Sequence, residues 1–149
     1  MSLIETVKTI KSIHIEDLIL IKIGKFIYAY GKDACIISYL FNYRIKLIEN
    51  NIYVCAFPNN NVNKIIATLE QRKINYKILD KRRNMEIDEE VSFKNLNKYN
   101  NIVEQSVKYV KRKNQVDNIY QRLLKEINEE NFEEIVSSVR KVLSEGRKI

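Results

Sequence analysis

A chain of 149 residues that is 45% hydrophobic and 30% charged, with three glycines and one proline, can bury an apolar core; this excludes collagen-like and Pro/Gly-rich disordered classes. No run approaches the roughly 18–20 apolar residues that cross a bilayer, and the opening MSLIETVKTI lacks the features of a secretory signal, so a cytoplasmic protein without membrane contact is expected. The formal charge of +7 resides wholly in residues 1–85, with 14 Lys/Arg against 7 Asp/Glu, while residues 86–149 carry 12 of each, so the first portion is the part suited to a polyanion.

In chain order, Ser2 and Glu5 form a capping-box pattern ahead of Leu3, Ile4, Val7 and Ile10, which predicts a short helix. LILIKI at 18–23 reads as a buried strand, Gly24 and Lys25 as a tight turn, and FIYAY at 26–30 as a second strand. The period of two puts Phe26, Tyr28 and Tyr30 on one face and Ile27 and Ala29 on the other. Gly31 ends that strand and a helix is expected over 32–40. A strand at 44–48, a hairpin turn at 49–51 and a returning strand at 52–57 follow, closed by Pro58. The asparagines 59–61 offer caps for a helix reaching about Lys73, and 75–80 is a further strand. The order predicts an α/β fold, a mixed β-sheet flanked by helices.

After Asp80 the composition changes. Residues 81–92, KRRNMEIDEEVS, read as a solvated charged connector, and from Phe93 the periodicity is helical. Asn114 with Asp117 and Asn131 with Glu134 supply cap-like starts, giving about three helical segments, of which the first two could be one long helix. The expected organisation is an α/β domain at 1–85 followed by a connector and a helical hairpin or small bundle at 86–149. Its apolar stripe needs cover from itself, from the α/β domain or from a partner.

Catalytic equipment is sparse. The single histidine, His14, and the two cysteines, Cys35 and Cys55, have no metal-ligand spacing, and both thiols are expected to be reduced. Glycines at 24, 31 and 146 cannot assemble a phosphate loop or a dinucleotide fingerprint, so no intrinsic ATPase, cofactor, metal or catalytic residue is expected. A carboxylate-bound metal nuclease remains the enzymatic alternative, with Asp33, Asp80, Glu86, Asp88, Glu89 and Glu90 as its available ligands.

The stretch HIEDLILIKIGKFIYAYGKDA from His14 to Ala34, followed by IYVCAFP from Ile52 to Pro58 and a helix to Lys73, resembles the N-terminal mismatch-recognition domain of the MutS DNA mismatch repair proteins. In that family an apolar strand enters a G-[DE]-F-Y-E-x-F motif, an Asp-Ala pair opens a helix, and a later strand ends in a [CA]-G-[VF]-P turn. Gly24, Phe26, Tyr30, Asp33, Ala34, Cys55, Phe57 and Pro58 fall on these landmarks in order. The resemblance spans roughly residues 3–80 and leaves the helical tail uncovered.

The resemblance implies a DNA-recognition fold in which Phe26 is a base wedge; sheet-core burial of Phe26 is the alternative. Tyr28 stands at the family's glutamate position, Lys25 at an acidic one, Ile27 at the middle aromatic and Ala56 at the glycine before Phe57. These departures favour general duplex or single-strand binding over faithful mismatch discrimination. Candidate nucleic-acid contacts are Phe26 and Tyr28 with three basic groups: Lys22, Lys25 and Lys32; Lys81, Arg82 and Arg83; Lys108, Lys111, Arg112 and Lys113. DNA is the expected ligand and RNA its competitor. A protein-interaction or assembly role is the second reading, with another nucleic-acid-processing protein, or self-association through the C-terminal helices, as the protein contact.

Overall fold

Short Ile-rich strands separated by amphipathic helices build one six-stranded mixed sheet. The computed structural model describes residues 2–48 and 51–146. Helix α1 (Leu3–Ile13) opens with the anticipated capping box: the Glu5 amide donates to Ser2 Oγ and the Ser2 amide to Glu5 Oε2, each at 3.2 Å. Strands β1 (Leu18–Ile23) and β2 (Phe26–Tyr30) are joined at Gly24, whose φ of +62° is the left-handed conformation that glycine adopts without strain. Helix α2 (Lys32–Phe41), strands β3 (Ile45–Ile48) and β4 (Ile52–Pro58), helix α3 (Val62–Gln71) and strand β5 (Tyr76–Asp80) follow. The hairpin turn expected at 49–51 lies, at 49 and 50, outside the described residues. The asparagine run is a short 3₁₀ turn rather than a side-chain cap, since Asn61 donates to the Tyr43 hydroxyl instead (2.9 Å).

Three further elements complete the chain, and the first of them corrects the expected connector. Residues 86–91 form β6 (Glu86–Val91), antiparallel to β5 with Tyr76 opposite Val91 and Asp80 opposite Glu86, where a solvated connector was expected. An edge strand exposes most of its side chains, so a charged sequence costs little there and also blocks pairing with another sheet. The first two expected tail helices are one 27-residue helix, α4 (Tyr99–Lys125), and the last is α5 (Phe132–Gly146). Residues 99–125 contain no glycine or proline, so nothing enforces a break at Asn114.

The strand order is β3-β4-β2-β1-β5-β6, with β1 parallel to β5 and every other neighbouring pair antiparallel. Because β1 is central, both its faces are apolar. Leu18 and Leu20 join Ile27, Ala29, Phe57, Tyr76 and Ile78 in the main core, under Ala34 and Ile37 of α2, Ile65 and Leu69 of α3, and Tyr99 and Ile102 of α4. On the other face Ile19, Ile21 and Leu79 meet Val7 of α1 in a smaller core. Each large aliphatic chain fully buried this way contributes roughly 1.5–3 kcal/mol.

The chain divides into two compact units, Met1–Lys111 and Arg112–Ile149. The boundary anticipated at residue 85 falls inside the first, because β6 completes the sheet and the start of α4 supplies core residues. Among the described residues no helix is long and apolar enough to cross a membrane.

Candidate nucleic-acid interface

The pleat and the strand register fix what β2 displays. Phe26 lies opposite Ile23 and Pro58, Tyr28 opposite Ile21 and Ala56, and Tyr30 opposite Val54. Cross-strand partners point to the same side, so Phe26, Tyr28 and Tyr30 share the face that carries the α1 core, against which Tyr30 packs. Phe26 is 46% exposed, and Tyr28 and Tyr30 are half-buried with near-parallel rings, centroids 6.3 Å apart at 16°. Phe26 is therefore a solvent-facing aromatic and not a core residue. Burial raises the Tyr30 hydroxyl above its ordinary pKa, with Tyr28 adding to the shift.

The basic candidates divide by position. Lys25 is exposed in the turn beside Phe26, and its carbonyl accepts from the Asn59 amide (2.9 Å), which ties that turn to the end of β4. Lys22 lies opposite Ile27, whose side chain is in the main core, so Lys22 points to the face away from Phe26. Lys22 also pairs in register with Asp80 across the parallel β1–β5 ladder, so the 81–83 turn emerges at the same end of the sheet as the Gly24 turn. The fold thus gathers Lys22 and Lys25 with the 81–83 group, far apart in sequence, around one sheet end. Lys81 and Arg82 are exposed there, while Arg83 is engaged by Glu86 (3.0 Å) and Asp88 (3.8 Å).

Lys32 is not part of this assembly. It opens α2 beyond Tyr30, at the opposite end of β2, roughly 13 Å along the strand from Phe26. There it borders a cavity of about 380 Å³ walled by Ile4, Val7, Lys8, Tyr30 and Val103. Lys108, Lys111, Arg112 and Lys113 lie on α4, which contributes Tyr99 and Ile102 to the core on the face opposite Phe26 and passes from the first unit to the second after Lys111.

The carboxylates are committed elsewhere. Asp33, 2% exposed in the first turn of α2, accepts from the Ile19 amide (3.0 Å), the Tyr99 hydroxyl (2.5 Å) and the Lys11 ammonium (3.0 Å). Lys11 also donates to the Asp17 carbonyl and sits 4.3 Å over the Tyr99 ring. Burial pushes the Asp33 carboxyl up and the Lys11 ammonium down, and the opposite charge of each partner resists both shifts. The group joins α1, β1, α2 and α4 in one buried knot. Neither Lys11 nor Tyr99 stands out in the sequence, because their separations from Asp33 carry no periodic signal.

Asp80 caps the 81–83 turn through the Arg82 amide, and Glu90 lies 3.8 Å from Lys77. Among the described residues no group of three or more His, Cys, Asp or Glu is placed to hold a metal. His14 sits 3.6 Å from Asp17, and Cys35 and Cys55 are buried free thiols that burial raises to about 11 and about 12.

Comparison with known proteins bears on the same residues. No curated protein matches the chain. The family model for MutS domain I matches residues 1–146, so the likeness seen between Gly24 and Pro58 extends through β6, α4 and α5, well past residue 80. With that match over nearly the whole chain and the mixed sheet displaying Phe26 at its open end, the chain belongs to the MutS domain I family of DNA-recognition domains.

Proposed function

We propose that this chain binds DNA at the Phe26 end of its sheet, with Phe26 stacking against a base and Lys25, Lys81 and Arg82 neutralising neighbouring phosphates. The observation that carries the reading is the exposure of Phe26 beside the Lys25 turn. An apolar ring held outside the core offsets part of the few kcal/mol that unstacking a base step costs. Tyr28, on the same face, is a neutral phenol that can donate, accept or stack, whereas a carboxylate could only accept. Its presence supports binding governed by stacking and charge rather than strict mismatch readout. The protein acts by binding, with no reaction of its own.

The test is a salt-dependent titration of wild type, Phe26→Ala and Lys25→Ala against matched duplex, mismatched duplex, single-stranded DNA and RNA. Loss of one stacking ring is worth about 1–3 kcal/mol, a roughly 5- to 150-fold weakening. Loss of one phosphate contact lowers the slope of log K against log salt by about 0.9 on duplex. Unaltered DNA binding by Phe26→Ala sinks the stacking role, and equal affinity for every polyanion reduces the site to charge alone.

A further inference from the structure

The cavity of about 380 Å³ that Lys32 borders lies wholly within the first unit. Ile4, Val7, Lys8 and Lys11, three or four residues apart on one face of α1, form one of its walls, and the β2–α2 junction at Tyr30 and Lys32 forms another. Val103 of α4 and Ile15 also line it, and Ile15 is 65% exposed although aliphatic. The volume falls within the roughly 300–1,000 Å³ of small-molecule sites, and aliphatic walls with a few polar groups are the usual lining of such sites.

The charged groups are all of one sign. Lys8, Lys11 and Lys32 line the cavity, and among the described residues no Asp or Glu does. Lys11 is held by Asp33 at 3.0 Å, but Lys8 and Lys32 are exposed and make no ion pair among the described residues. Burial lowers the Lys11 ammonium, Asp33 opposes that shift and Lys32 adds to it, so the uncompensated charge of Lys32 is felt at Lys11.

Lining and charge together select the occupant. A free phosphate or a nucleic-acid backbone answers the lysines and leaves the aliphatic walls wet, whereas an uncharged apolar molecule covers the walls and leaves the cations unpaired. An aliphatic chain ending in a carboxylate does both. We infer that the first unit binds a small aliphatic carboxylate in this cavity, its chain against Ile4, Val7 and Val103 and its head group paired with Lys8 and Lys32. This goes beyond DNA binding and does not depend on it, since the cavity lies at the opposite end of β2 from Phe26. It assigns Lys32 to a small ligand rather than to the phosphates of DNA.

Calorimetric titration of the full chain with octanoate, octanol and octylamine, which share a chain and differ in head charge, tests it, with inorganic phosphate as the head group alone. Octanoate is expected to bind at a single saturable site, octanol about tenfold more weakly or worse, and octylamine and phosphate not at all. Lys8→Glu with Lys32→Glu reverses two exposed charges and should weaken octanoate by about tenfold or more, with octanol and the urea midpoint unchanged. Val103→Trp, which fills the cavity, should abolish binding of octanoate and octanol alike at unchanged helicity by circular dichroism. Phe26→Ala should leave octanoate binding as it is, which separates this site from the DNA-binding end. Absence of saturable octanoate binding up to millimolar concentration, equal affinity for octanol and octanoate, or octanoate binding indifferent to the lysine changes each overturns the inference. A lysine variant that loses DNA affinity and keeps octanoate affinity overturns it too and gives Lys8 and Lys32 to phosphates.

Discussion

Replacing Asp33 by alanine removes the acceptor shared by Lys11, Tyr99 and Ile19, and the cost follows from what is left behind. Breaking a buried ion pair from one side costs about 3–5 kcal/mol, and each stranded neutral donor about 1–3 kcal/mol. Lys11 keeps the Asp17 carbonyl and a side chain that is 27% exposed, so its share lies at the low end. The Tyr99 hydroxyl and the Ile19 amide retain no such outlet, because Tyr99 is 2% and Ile19 3% exposed. The expected loss is about 5 kcal/mol, a large part of the roughly 5–15 kcal/mol that holds a domain together. Urea denaturation followed by circular dichroism reads it as a lower midpoint at constant m. In a double-mutant cycle, Lys11→Met should cost markedly less in the Asp33→Ala background than in wild type, with a coupling above about 1 kcal/mol. A loss below about 1 kcal/mol, or strict additivity with Lys11→Met, refutes the account of the knot.

Other expectations are equally direct. Helix α3 ends with the Lys73 amide bonded to the Glu70 carbonyl and the Ile74 amide to the Leu69 carbonyl, while Lys73 holds φ +58°, the left-handed position where glycine is usual. Lys73→Gly should therefore raise stability by up to about 1 kcal/mol in urea titration. Cys35 and Cys55, raised to about 11 and about 12 in the fold, bind protons more tightly folded than unfolded. Their contribution is whole below about pH 9 and is lost as pH rises toward 11 and 12, by at most about 1.4 kcal/mol per pH unit for each thiol. Stability of wild type and of Cys35→Ala with Cys55→Ala, followed from pH 8 to 11, should diverge in that direction, and native wild type should resist a thiol reagent that titrates both cysteines in urea.

What the sequence disclosed and what it withheld follow from the range of the interactions. The Ser2–Glu5 box, the Gly24 turn and the alternation of Phe26, Tyr28 and Tyr30 are local, and the structure carries all three. The exposure of Phe26 was not legible, since a period of two says which residues share a face and not whether a helix covers it. Strand β6 was hidden because its exposed acidic residues mimic a linker. Asn75 and Asn97 carry no local signal in the sequence, yet both are structural. Asn97 accepts from the Asn75 and Tyr99 amides and donates to the Glu16 carbonyl; Asn75 accepts from the Phe93 amide and donates to Asp17. Such bonds join residues up to 81 positions apart, beyond any local pattern. The gathering of Lys25 with Lys81 and Arg82 likewise depends on the parallel β1–β5 ladder.

The knot around Asp33 also sets an order of events during synthesis. Its carboxylate belongs to the first quarter of the chain, but the hydroxyl that completes it arrives with Tyr99, after β1, β2, β4 and β5 have all been made. At roughly 5–20 residues per second, a ribosome spends several seconds exposing a sheet and an α2 whose buried acid still lacks the last of its three donors. During that interval the aromatic face of β2 is present without the element that locks α2 and α1 in place. A nascent or truncated chain stopping near residue 85 should therefore be looser, more open to proteolysis and poorer at presenting Phe26 than one that continues through the first turns of α4.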